Sequence, residues 1–119
     1  MATQLKHYST IGTNNKEAAE NFYDELLSLI NAKKFPANDR ITMWRSSEDN
    51  SIILAIAVPY NGEEATFGNG SMKGIALETK EAVDEMYAKA ISLGAKDDGV
   101  PGQRAGAFYG AYVYDLDGN

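Results

Sequence analysis

The sequence predicts an α+β fold built from two similar βαβββ modules, the second without its last strand. Three features carry that expectation. A stretch near the start recurs 64 residues later, both copies place apolar residues at helical spacing, and each is flanked by short alternating or β-branched runs.

The repeat lays residues 15–30 on residues 79–94 and matches six of sixteen positions: Lys16 with Lys80, Glu17 with Glu81, Ala18 with Ala82, Tyr23 with Tyr87, Ser28 with Ser92 and Leu29 with Leu93. The flanks repeat as well, residues 8–13 standing before the first copy as 72–77 stand before the second. In the first copy Ala18, Phe22, Leu26 and Ile30 recur every four residues, and Ala19, Tyr23 and Leu27 widen them into one apolar stripe. Asn14 with Glu17 has the form of a capping box, so the spacing predicts a helix that starts there. In the second copy Val83, Tyr87, Ala90 and Ile91 make the stripe, Thr79 is the N-cap, and Gly94 stands where a left-handed residue ends the helix.

Strands follow from the two-residue period. Residues 5–12 form the first, 41–45 and 52–58 form a hairpin through the polar turn 46–51, and 34–36 add a short strand before it. In the second half 72–77 is a strand, 97–106 a loop broken by Gly99, Pro101, Gly102 and Gly106, and 107–114 a strand. Asp115 and Asp117 belong to a closing turn, not to a calcium loop, because no further acidic ligands follow. The first module therefore occupies 5–60, a linker rich in Gly, Asn and Glu occupies 61–70, and the second, incomplete module occupies 71–119, all within one domain of 119 residues.

Composition narrows the function classes. The 11 Lys and Arg against 17 Asp and Glu leave a net charge of −6 and no basic cluster, which argues against a nucleic-acid partner. No apolar run approaches the ~20 residues of a membrane span, and the start of the chain lacks the pattern of a secretory signal, so a soluble, cytoplasmic protein is expected. With no Cys there is no disulfide, thiolate nucleophile or Cys-based zinc site. A Gly-x-Ser-x-Gly motif and a phosphate-binding glycine loop are likewise missing from the sequence.

The opening Tyr8-Ser-Thr-Ile-Gly12, the helix with Phe22-Tyr23, the linker 59–70, the segment Gly99-Val-Pro-Gly-Gln-Arg104 and the closing Tyr114-Asp-Leu-Asp-Gly-Asn119, with Leu116 where Pro is common, occur in the order and spacing of one family. The chain resembles the vicinal oxygen chelate superfamily, which holds glyoxalases, bleomycin resistance proteins and ring-cleaving dioxygenases. The resemblance implies a curved mixed sheet around a cavity, with a divalent metal held by the first and last strands of each module. Those positions fall here on Tyr8, Ala57, Met72 and a place beyond Asn119. A phenol is a rare ligand, a thioether is too soft for Mg, Mn or Zn, and Ala has no donor, so neither a cofactor nor a metal is expected. His7, the lone histidine, sits one residue from the ligand position, and alternation turns it to the opposite face.

If Tyr8 and Ala57 face inward, as the resemblance implies, the strand period and the repeat add Thr10, Ile53, Ala55, Met72 and Gly74 to the wall of a small, mainly apolar cavity, where enlarging Gly74 would crowd a ligand. Met43, Trp44, Phe108, Tyr109 and Tyr112 are candidates for aromatic surface, and Arg104 for one cation. The expected function is metal-free binding of a small organic molecule, and the alternative is a metal-dependent lyase, lactoylglutathione lyase-like, or a dioxygenase with atypical ligands. The resemblance also implies a homodimer, in which the partner covers the free edge of the aromatic strand 107–114.

Overall fold

The computed structural model describes residues 7–119, which divide into two units between Thr66 and Phe67. The first unit contains β1 (Thr10–Gly12), α1 (Lys16–Leu27), a 3-10 turn (Ser28–Ile30), β2 (Lys33–Pro36), β3 (Ile41–Arg45) and β4 (Ile52–Ala57). The sheet order is β1-β4-β3-β2. β1 runs parallel to β4, with Thr10 opposite Ala55 and Gly12 opposite Ala57, while β2–β3 and β3–β4 are antiparallel. The expected first strand is shorter than 5–12: residues 5 and 6 lie outside the described residues, and 7–9 are not in the strand.

Helix α1 begins one residue later than the capping box implies. Asn15 is the N-cap, its Oδ1 accepting the Ala18 N–H at 3.0 Å. Asn14 is engaged elsewhere: its Nδ2 donates to the Ala65 carbonyl at 3.0 Å, and its Oδ1 accepts the Ala65 N–H at 2.7 Å. The apolar stripe of α1 covers one face of the sheet, where Ala19 and Leu27 meet Ile11, Trp44, Leu54 and Ile56. Trp44 is fully buried at the centre of this core. Its Nε1–H donates to Asp24 Oδ1 at 3.1 Å, and its ring lies 5.9 Å from that of Tyr23. A buried indole needs such a partner, and Asp24 supplies it from the rim of the helix.

The second unit contains α2 (Lys80–Ser92), β5 (Lys96–Gln103) and β6 (Tyr109–Tyr114), the two strands forming an antiparallel pair. Thr79 caps α2 as the sequence implies, Oγ1 accepting the Ala82 N–H at 3.0 Å, and Gly94 after the helix has a φ of +104°. Two expectations fail here. The stretch 97–106 is not a loop throughout, since β5 runs to Gln103; its register shifts between Asp97 and Gly99 and again between Gly99 and Gly102, and these bulges accommodate the glycines and Pro101. Residues 72–77 do not form a strand. In the first unit β1 finds its hydrogen bonds on β4, and among the described residues no strand follows β6 to offer 72–77 the same ladder. The end of the chain is a turn closed on itself, Asp115 Oδ1 accepting the N–H groups of Asp117 and Asn119, each at 2.9 Å. Among the described residues no helix is long and apolar enough to cross a membrane.

Replacing Trp44 by Ala removes the largest core side chain together with its hydrogen bond. The expected cost is about 3–5 kcal/mol, read as a lower urea midpoint by far-UV circular dichroism. Tyr60→Ala, at a position 90% exposed, should move the midpoint by less than about 0.5 kcal/mol.

Candidate functional site

Alternation divides the first sheet into two faces. Ile11, Thr42, Trp44, Leu54 and Ile56 point towards α1, so their neighbours point away from it, with Thr10 beside Ala55, Gly12 beside Ala57, and Met43 opposite Ala55. This second face carries the candidate site. Ala55 and Ala57 are buried although they face away from the helix.

The two ends of the face differ. At the end marked by Gly12 and Ala57 the chain folds back on itself: the paired hydrogen bonds of Asn14 hold Ala65 in place, and a Cβ on Gly12 would stand 2.9 Å from the Ala65 Cβ. Glycine is required there for close approach. Near the opposite strand ends lies a depression of about 270 Å³ lined by His7, Tyr8, Arg45, Asn50, Ser51 and Ile52. The hairpin between β3 and β4 forms part of its rim. Its turn is held by the Ser46 N–H donating to the Ser51 carbonyl at 2.8 Å, with Asn50 at a φ of +64° that asparagine tolerates.

A second, smaller depression of about 210 Å³ lies in the second unit, lined by Leu77, Glu78, Thr79, Lys80, Val83, Ala107 and Tyr109. Tyr109 Oη donates to Asp84 Oδ1 at 2.6 Å, and Tyr87 Oη donates to Asp97 Oδ1 at 2.8 Å. Each bond holds the phenolic proton, and with some desolvation and the carboxylate's charge it raises the tyrosine pKa above 10.0.

The same arrangement of elements occurs in solved structures. A glyoxalase/bleomycin resistance protein from Albidiferax ferrireducens T118 shares 35% sequence identity with the chain at a TM-score of 0.83, over 92% of this chain and 88% of that one. The chain belongs to the glyoxalase/bleomycin resistance protein/dioxygenase superfamily. A glyoxalase-related enzyme from Fulvimarina pelagi (20% identity, TM-score 0.73, covering 98% of this chain and 84% of that one) and the hypothetical protein SA1046 from S. aureus (18%, TM-score 0.74, covering 98% and 90%) share the fold. No family profile and no curated protein matches the sequence.

Membership of the glyoxalase superfamily sharpens the question of the metal. The donor set does not fit one: Ala57 is a buried methyl with no donor atom, Tyr8 is 54% exposed, and Met72 is 69% exposed in the irregular segment before α2. Among the described residues no three His, Cys, Asp or Glu side chains come together.

The other residues expected at the glyoxalase-like cavity are placed as follows. Thr10, Ala55 and Ala57 share the face away from α1, and Tyr8 lines the larger depression. Ile53 packs against the core, because the register of β3 on β4 shifts between Trp44 and Arg45 and leaves Ile53 without a direct partner. Gly74 is exposed and a Cβ there would meet nothing within 4 Å, so enlarging it does not crowd the described residues. Trp44 belongs to the helix-side core, and Arg104 is spent on the second unit, its Nη2 donating to the Val100 carbonyl at 2.7 Å and its guanidinium carbon 5.5 Å from the Tyr112 ring centre. His7 and Tyr8, both ahead of the first residue of β1, line the same depression. Arg45, Asn50, Ser51 and Ile52 went unnoticed in the sequence; the period from Met43 to Arg45 was the signal available for the first of them.

The two tyrosine–aspartate bonds give the glyoxalase-like chain an alkaline dependence. The folded unit keeps these protons to higher pH than the unfolded chain does, so their stabilisation is complete below pH 10.0 and is lost as pH rises through the raised values. An absorbance titration should show late-ionising phenols, and Asp97→Asn should bring Tyr87 back towards 10.0.

Proposed function

We propose that this superfamily member binds a small organic molecule on the first unit's sheet face without using a metal ion. The observation that carries the reading is the character of that face: the wall of Thr10, Ala55 and Ala57 is small and largely apolar, the position where the family would place an acidic ligand is the methyl of Ala57, and a depression of about 270 Å³ lies by the start of β1 and the β3–β4 hairpin. A polar rim with Tyr8 and His7 can orient a ligand there. Net charge, the absence of cysteine and the absence of a spanning helix among the described residues accord with a cytoplasmic role and with no nucleic-acid or membrane partner.

The experiment combines metal analysis, a hemithioacetal isomerisation assay and binding of Nile red, a neutral apolar fluorophore. The expected outcome is no stoichiometric zinc, nickel or manganese, no isomerisation with any of them added, and Nile red binding that is lost in Thr10→Trp, which fills the face from an exposed position. Stoichiometric metal with isomerase activity would replace the reading by the metal-dependent lyase. Nile red binding unchanged in Thr10→Trp would place the ligand elsewhere.

We also propose a homodimer. Among the described residues β6 pairs with β5 on one side only, and its run Tyr-Gly-Ala-Tyr-Val-Tyr has no charged residue to keep a second strand away. Sedimentation velocity should show a dimer, with the β6 amides slow to exchange. A monomer with rapidly exchanging β6 amides would refute it.

A further inference from the structure

Lys33 of β2 stands directly opposite Arg45 of β3, on the sheet face away from α1. Two like charges in that relation destabilise a sheet unless an anion answers them. In a chain with a net charge of −6 an internal carboxylate would be easy to supply, yet among the described residues neither Lys33 nor Arg45 takes part in an ion pair such as that of Lys16 Nζ with Glu20 Oε1, 2.7 Å apart on α1. The nearby hairpin carboxylate of Asp49 accepts from Ser51, N–H at 3.0 Å and Oγ at 2.7 Å.

The Arg45 guanidinium is held by stacking, with its carbon 4.1 Å from the centre of the Phe35 ring. Its Nε is buried with no acceptor. That atom lies out of a ligand's reach, but the planar, stacked guanidinium has no carboxylate partner among the described residues, and its Nη groups are left to meet an external one. Arg45 lines the open depression together with Tyr8 and Ile52, whose apolar surface suits an organic body better than a fully hydrated inorganic ion.

Taking this face as the small-molecule site proposed above, we infer that its ligand is an organic carboxylate, received by the N–H fork of Arg45 with Lys33 adding charge and Tyr8 and Ile52 packing the apolar part. Carboxylate and guanidinium match in geometry, two parallel N–H···O bonds fixing the orientation.

The test uses benzoate as the probe and the amide spectrum of the ¹⁵N-labelled chain as the readout. Benzoate should shift the resonances of Arg45, Ser51 and Ile52, weaken as salt rises, and bind about tenfold or more weakly to Arg45→Met. Arg45→Lys, which keeps the charge but loses the fork, should fall between. Lys33→Gln, at an exposed strand-edge position, should weaken benzoate about threefold, and it serves in place of Arg45→Met if that variant loses spectral dispersion. Benzamide, similar in shape but neutral, should leave the resonances in place. Equal binding of benzoate to the variants, or of benzamide to the parent, overturns the inference; inorganic phosphate competing as strongly as benzoate overturns the carboxylate class. Nile red separates the two levels: its binding without benzoate binding defeats the carboxylate and spares the small-molecule site, whereas failure of both defeats both.

Discussion

The parallel pairing of β1 with β4 is the constraint on which the first unit depends, because a parallel pair is not closed by a tight turn and needs a long crossover between its strands. That crossover brings α1 across one face of the sheet, and the register of Thr10 on Ala55 then decides which side chains meet the helix and which face away. The second unit supplies the contrast. Residues 72–77 stand before α2 as residues 8–13 stand before α1, yet they remain irregular where no parallel partner is present among the described residues. Strand formation at this position comes from pairing more than from intrinsic preference.

The same pairing distinguishes the two ends of the sheet face turned away from α1. One end is shut by Ala65 lying on Gly12, a contact that Asn14 fixes with two hydrogen bonds from a residue 51 positions away. Near the other end β1 starts at Thr10, which leaves His7 and Tyr8 beside the hairpin rim. Ala65, within the stretch read as a linker, thus packs on the first unit's sheet.

The amphipathic helices and the hairpin strands were legible in the sequence because their apolar periods are long or strict, and the boundaries of β3 stand where the alternation put them. β5 was hidden by its own composition. Gly99, Pro101 and Gly102 are turn formers, and only the opposing β6 turns them into bulges of a strand. The shift of the α1 cap from Asn14 to Asn15 was also beyond sequence reasoning, since adjacent asparagines are equivalent until a distant backbone group claims one of them. Parity placed Thr10, Ala55 and Ala57 on one sheet face, but it does not reach Ile53, where the register shifts, or His7, which precedes the strand. Arg45 could not be picked out as a candidate, because the lack of a carboxylate partner among the described residues has no signature along the chain.

Trp44 has a spectroscopic consequence. It is the sole tryptophan of the chain and lies in the core of the first unit, so indole emission reports on that unit, while far-UV dichroism sums both helices. Denaturation curves from the two signals that superimpose would show the units melting as one cooperative body. Curves that part would show two, and the distance between them would measure how much stability each unit keeps to itself.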